Sequence, residues 1–286
     1  MKLFVTGGTG FIGSHFIRAA QADGHTVLAL RRSAASVPAI ALPQEPDWLT
    51  KGMDLVTPSD LKDCDMLVHI AAAGVDPAEN EWEKLFQTNV IESLKLWLAA
   101  DSANVRRFVI CGSCFEYGKS GESFEFIPSN APLLPIGPYA ASKAAATLAA
   151  ISVATERNWQ LTVVRPFHVF GEGESESRFW PSLRKAAIAG EDFPMTKGEQ
   201  VRDFIPVGEV ARQVLDACSN PPPPGQPEIR HIGTGNPQTL RAFAEDCWLQ
   251  WKAQGKLVFG AKSYRQGEVM RFVPQVDHSI FSAAVA

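Results

Sequence analysis

No apolar run in this 286-residue chain reaches the ~20 residues of a membrane-spanning helix, and no basic excess offsets its formal charge of −4. A membrane partner and a nucleic-acid partner are therefore not expected. Cysteine is scarce and odd in number, five in all. Cys111 and Cys114 make a C-x-x-C spacing, but no second pair and no clustered histidines accompany it, so no metal site is expected. Redox pairing of those two thiols stays open beside a structural role. With a core-like strand at the start, no leader is expected, and a cytoplasmic, reduced setting is expected. Internal repeats are also lacking. What is plentiful is apolar surface: 45% of residues, enough for one large or two modest domains with a substantial core.

The N-terminus organises the rest. Lys2 to Thr6 is a short apolar run, followed at once by Gly7-Gly8-Thr9-Gly10-Phe11-Ile12-Gly13. Ser14 to Asp23 has helical spacing, Gly24 stops it, and His25 to Leu30 is a second apolar run. That is strand, glycine loop, helix, strand. Gly7 allows the tight turn, Gly10 the close approach of a pyrophosphate, and Gly13 close helix–strand packing. Free N–H groups at the helix start would hold the phosphates. One feature of a dinucleotide site is missing: the carboxylate expected roughly 20 residues past the glycines, which binds a free ribose 2′-hydroxyl. Arg31 and Arg32 stand there instead. A guanidinium fork suits a 2′-phosphate, favouring NADP over NAD; two solvated arginines at a strand end are the alternative.

Further on, residues 33–51 read as an irregular connection with one weak strand, and Ser59–Leu61 as a short helix. Met66–Ile70, Arg107–Cys111 and Leu161–Val164 read as buried strands, with long helices at 81–100 and 139–157 between them. Strands apolar without alternation, separated by helices, predict a Rossmann-type doubly wound parallel sheet covered on both faces. From Pro166 the texture changes to mixed glycine, acid and aromatic residues. A helix over 209–218, a last sheet strand over 230–233 and a helix over 240–254 follow. The expected organisation is a dinucleotide-binding domain over 1–165, rejoined by 207–235. Residues 166–206 and 236–286 would form a smaller, partly interleaved substrate lobe.

Tyr139 and Lys143 lie four apart on a predicted helix and share a face. An ammonium about 4 Å away favours phenolate by roughly 4 kcal/mol at an effective dielectric near 20, about three pKa units. The phenol would then exchange a proton with a hydroxyl or carbonyl as hydride moves. Ser113, just past the Arg107–Cys111 strand, lies at the carboxyl end of the sheet, where such folds bind ligands.

The stretches TGGTGFIG (6–13), DL (54–55), HIAA (69–72), Asn89, GSCFEYG (112–118), PYAASK (138–143), RPFHVFG (165–171) and VRDFIPV (201–207) carry a resemblance. In order and spacing the chain resembles the extended short-chain dehydrogenase/reductases, within them the nucleotide-sugar epimerase, dehydratase and reductase family. The resemblance implies Tyr139 as general acid/base, Lys143 on the nicotinamide ribose, and Ser113 on the substrate oxygen. It implies Asp54 on the adenine amino group with Leu55 beside it, and Ala71, Ala72, Ala73, Pro166 and His168 along the cofactor. Cys114, Phe115, Phe167 and His168 would meet the substrate, and Arg202 and Arg265 its phosphates. Asn89 would tie helix to strand; His69 reads as packed rather than catalytic. The helices at 81–100 and 139–157 resemble the family's dimer-forming pair, and the alanine-rich second one permits close approach.

Departures narrow the activity. The acidic pair that dehydratases of this family place before the Tyr-Gly is replaced by Cys114 and Phe115, with Glu116 one position late, so elimination is not expected. His168 replaces an asparagine, Gly208-Glu209 the usual acidic pair. The chain ends at Ala286 without the family's closing helix, so a small substrate lobe is expected. A net reductase exchanges its cofactor each turnover and draws on NADPH; an epimerase gains nothing from it. The expected activity is NADPH-dependent reduction of a nucleotide-linked 4-keto-6-deoxy sugar. A nucleotide-sugar 4-epimerase, a reductase of a sugar-free ketone and a non-catalytic NADP sensor are the alternatives.

Overall fold

The computed structural model describes residues 1–76, 79–265 and 267–276. In chain order they form β1 (Lys2–Thr6), α1 (Phe11–Ala22), β2 (Thr26–Arg31), β3 (Asp47–Thr50), β4 (Met66–His69), α2 (Trp82–Phe86) and α3 (Ser93–Ser102). Then come β5 (Arg107–Cys111), α4 (Gly137–Arg157), β6 (Gln160–Pro166), β7 (His168–Phe170) and α5 (Phe179–Ala189). After these lie β8 (Phe193–Pro194), β9 (Val201–Arg202), β10 (Phe204–Pro206), α6 (Val207–Ser219) and β11 (Glu228–Ile232). The last elements are β12 (Gln238–Thr239), α7 (Leu240–Gln250), β13 (Leu257–Val258) and β14 (Arg271–Phe272).

Seven strands make one parallel sheet in the order β3-β2-β1-β4-β5-β6-β11. Its central strands are buried along nearly their whole length because each side is covered. Alternate residues feed alternate layers. Leu3 and Val5 pack with Phe16 and Ile17 of α1 and Val210 and Val214 of α6. Phe4 packs with Leu96 and Trp97 of α3 and Ala150 and Ala154 of α4. The strand order reverses between β1 and β4, which opens a crevice at their carboxyl ends.

Three expectations need correction. The predicted helix over 81–100 is interrupted: Gln87–Glu92 is a π-helical stretch joining α2 to α3. Asn89 explains it. Its side chain bonds both the N–H and the carbonyl of Ala73 and donates to Ser142 Oγ at 2.9 Å, so the wider turn holds it against the sheet edge. Second, α5 was not expected. Its apolar residues Phe179, Leu183, Ala186 and Ala187 have helical spacing, but Pro181 and the surrounding Glu, Ser and Gly residues disguise it; Pro is tolerated there because it lies in the first turn. α7 also stops at Gln250 rather than Gln254.

A second cluster of buried residues, Leu183, Met195, Phe243, Ala244 and Trp248, lies between α5 and α7. Small sheets β10-β7, β12-β9-β14 and β13-β8 belong to the same half of the molecule. Among the described residues no helix is long and apolar enough to cross a membrane.

Candidate active site

The cradle starts where β1 ends. Gly7 has φ +72°, and a Cβ there would stand 2.7 Å from the Ala71 amide nitrogen. A Cβ on Gly13 would overlap the Gly7 carbonyl oxygen. Gly10 is open: only Gly7 O, at 3.2 Å, lies near where its Cβ would be. It precedes α1 with no side-chain cap, which leaves first-turn N–H groups for an anion. Phe11 and Ile12 line the cavity beyond. These residues fit a dinucleotide's pyrophosphate. Gly13→Ala is expected to cost about 1–3 kcal/mol of stability and weaken dinucleotide binding at least tenfold; thermal unfolding and a cofactor titration measure both.

At the end of β2, Arg31 Nε donates to Thr50 Oγ1 at 3.0 Å, and its guanidinium lies 5.1 Å from the Trp48 ring centre. Arg32 beside it is exposed. Among the described residues, no acid occupies the end of this strand. Asp54 and Leu55 sit in a single 3₁₀ turn, Met53–Leu55, past β3, both exposed.

α4 presents Tyr139 and Lys143 to the crevice, one turn apart. Ser113 begins the 3₁₀ turn Cys114–Tyr117 after β5; its Oγ accepts from the Phe115 N–H at 3.2 Å and bonds the Tyr139 phenol. The expected depression of the tyrosine pKa is not found. Burial pushes the phenol above its ordinary value, the Cys111 thiol adds to this, and only the Ser113 bond opposes it. Lys143 Nζ is turned instead to the Cys111 carbonyl, donating at 2.6 Å. The phenol therefore keeps its proton at neutral pH. Cys111 and Cys114 are free thiols that burial pushes up to about 11 and about 12, too high for thiolate chemistry. His69 is packed, as expected: its ring nitrogens lie 2.9 Å from Thr6 Oγ1 and 3.1 Å from Ser93 Oγ, and burial lowers it to about 3.

Beneath Ser113 lies a charge pair that sequence reasoning missed. Glu116 is wholly buried, accepting from the Ser113 N–H at 2.8 Å and Thr147 Oγ1 at 3.0 Å. Arg165, 1% exposed, reaches its other oxygen from Nε at 2.9 Å and Nη2 at 2.8 Å. Arg165 Nη1 donates to Tyr117 Oη at 2.6 Å, and His231 Nε2 lies 2.6 Å from the same oxygen. Glu116 is thus engaged on both oxygens within the core.

A cavity of about 350 Å³ joins the glycine loop to the smaller half of the molecule. It gathers most of the expected residues: Ala72, Ser113, Cys114, Phe115, Tyr139 and Lys143, with Pro166, Phe167 and His168. Ala71 and Ala73 form the adjoining loop. The wall opposite is aromatic and was not anticipated: Phe170, Phe179, Trp180, Phe204 and Phe243. The excess of Phe and Trp over 167–204 was its visible trace. His168 stands neutral among phenyl rings, its pKa lowered well below the ordinary value by burial, with Nδ1 unpartnered. A neighbouring cavity of about 120 Å³ adds Arg202.

Arg202, expected to meet the substrate's phosphates, lines that smaller cavity with its guanidinium paired within the chain. Its guanidinium donates to Glu268 Oε1 at 3.0 Å, Val269 O at 2.6 Å and Val201 O at 3.0 Å. Pairing of β9 with β14 brings Glu268 alongside, so this arginine is already held by its own chain. Arg265 is exposed and lines neither cavity; the neighbouring Gln266 of its motif lies outside the described residues.

The GDP-6-deoxy-D-mannose reductase of Pseudomonas aeruginosa is 29% identical over 260 residues, covering 85% of this chain and 78% of the relative. A UDP-glucose 4-epimerase of Lactobacillus helveticus is 25% identical over 257 residues, 82% of this chain and 77% of that one. In fold, the chain is similar to a UDP-N-acetylglucosamine 4-epimerase of Methanobrevibacter ruminantium, with a TM-score of 0.87 over 97% of this chain and 90% of the other at 24% identity. The model of the NAD dependent epimerase/dehydratase family matches residues 3–233, which takes in the whole sheet from β1 to β11. The chain belongs to that family, among the extended short-chain dehydrogenase/reductases.

Proposed function

We propose that this protein is an NADPH-dependent ketoreductase acting on a nucleotide-linked 4-keto-6-deoxy sugar. The observation that carries the reading is the end of β2, where Arg31 and Arg32 stand in place of an acid. Arg31 is oriented by Thr50 and Trp48, so its fork is held ready for a 2′-phosphate. A bound reduced nicotinamide would supply the hydride. Tyr139 Oη gives its proton to the ketone oxygen, and Ser113 Oγ holds that oxygen. A phenol kept protonated by burial suits a general acid in reduction. Lys143 is the cation beneath them, fixed by the Cys111 carbonyl until a ribose hydroxyl competes for it.

A nucleotide-sugar 4-epimerase is the second reading, favoured by the epimerases among the relatives. Incubation with NADPH or NADH and a panel of 4-keto nucleotide sugars separates the two. Stoichiometric NADPH loss, with kcat/KM at least tenfold better than with NADH, is expected. Replacing both Arg31 and Arg32 by alanine is expected to erase that preference. A preference for NADH in the native protein, or sugar isomerisation without net cofactor loss, would overturn the reductase reading.

The same reading divides the chain into a cofactor domain over 1–165 and 207–235 and a substrate lobe over 166–206 and 236–286, working in the cytoplasm on its NADPH pool. It also includes a homodimer. Trp82 and Ile91 on the α2–α3 segment and Leu148 on α4 are large apolar side chains left 57%, 45% and 58% exposed. A second copy of this face would cover them. A monomer by light scattering would remove that part.

A further inference from the structure

The aromatic wall of the larger cavity carries one carboxylate with an oxygen that nothing in the protein uses; among the described residues its only hydrogen bond is from the Gly171 backbone. Glu174 lies between β7 and α5 and lines the cavity beside Phe170 and Phe179. Its Oε2 is buried with no hydrogen-bond partner. Arg178, the nearest cation acting on it, forms no ion pair with it and donates instead to the Val75 carbonyl at 3.0 Å. A buried polar atom left without a partner costs free energy, so its retention calls for a ligand.

We infer that Glu174 binds a hydroxyl of the substrate's sugar, as the polar anchor of an otherwise aromatic subsite. This rests on the nucleotide-sugar reading above. The ligand chemistry is that of a hydroxyl donor, and two sources have it: the sugar and a ribose of the dinucleotide. The sugar is chosen because Glu174 belongs to the segment that builds the aromatic wall, β7 to α5, rather than to the glycine cradle. Burial raises its carboxyl to about 7, so near neutrality it serves both as acceptor and, when protonated, as donor. Stacking of Phe204 on Phe243, centroids 3.9 Å apart, supplies a flat apolar surface in the same cavity.

The test compares the native protein with Glu174→Leu and Glu174→Gln by calorimetric titration. The titrants are a nucleoside diphosphate, the matching nucleotide sugar, and NADPH. The native protein is expected to bind the nucleotide sugar more tightly than the bare diphosphate. Glu174→Leu should weaken sugar-nucleotide binding about tenfold while leaving diphosphate and NADPH affinities unchanged; Glu174→Gln should restore most of the loss. Glu174→Leu also loses the hydrogen bond from the Gly171 backbone, so thermal unfolding is followed alongside; a loss of sugar affinity with diphosphate and NADPH affinities intact separates ligand binding from that structural cost. Unchanged sugar affinity in Glu174→Leu, or a loss of NADPH affinity instead, overturns the assignment and leaves the proposed function standing. A native protein that binds no nucleotide sugar at all overturns both.

Discussion

Tyr139→Phe is expected to lower kcat by 10²–10⁴-fold, the usual contribution of a positioned general acid, with the fold and cofactor affinity intact. The substitution removes only the hydroxyl, whose bond in the protein is to Ser113. Ser113→Ala should cost less, because a hydroxyl that holds the oxygen is supplementary to one that delivers the proton. The acidity of the phenol adds a second readout. Burial raises it, so the protonated form persists through neutral and mildly alkaline pH. Reduction by the native enzyme should therefore hold its rate on the alkaline side until above the ordinary tyrosine range near 10. A phenol depressed toward neutrality, the expectation from the Tyr-x-x-x-Lys spacing alone, would instead let the rate fall from about pH 7. Single-turnover rates between pH 6 and 9 distinguish the two. A kcat within threefold of native in Tyr139→Phe would refute the assignment.

That reversal shows where sequence reading reaches and where it stops. Spacing placed Tyr139 and Lys143 on one helix face, and the helix is there. It carried no information on burial or on the Cys111 carbonyl, which reaches Lys143 only when β5 and α4 pack. The glycine loop was legible because each glycine answers a local steric need within a few residues. The seven-stranded sheet was legible because buried parallel strands leave unbroken apolar runs. Arg202 was legible only as part of a motif, and its partner Glu268 arrives through the pairing of β9 with β14. The π-helical turn at Asn89 and the aromatic wall depend in the same way on tertiary contacts, Ala73 and Ser142 for the first, α5 and α7 for the second.

Glu116 and Arg165 are likewise joined only by tertiary packing, with larger energies at stake. Replacing Glu116 by alanine leaves Arg165 as an uncompensated buried cation, a change that costs about 3–5 kcal/mol. At roughly 2–4 °C per kcal/mol for a chain of this size, the unfolding temperature should drop by about 6–20 °C. Arg165→Ala should do likewise, and it also strips Tyr117 Oη of its 2.6 Å donor. The two losses are not expected to add. A Glu116→Leu/Arg165→Met double variant removes both charges together and should regain much of the stability of either single alanine variant, since apolar residues can replace a buried pair at little cost. Stability and activity should then separate. The double variant still lacks the carboxylate that holds the Ser113 N–H at 2.8 Å, so its kcat should stay below native even where its unfolding temperature recovers. A cycle of the singles and the double, followed by thermal unfolding and by kcat, measures both terms. Full recovery of kcat together with stability would mean that the pair only fills the core; recovery of stability alone places Glu116 as the group that positions Ser113 for the reaction.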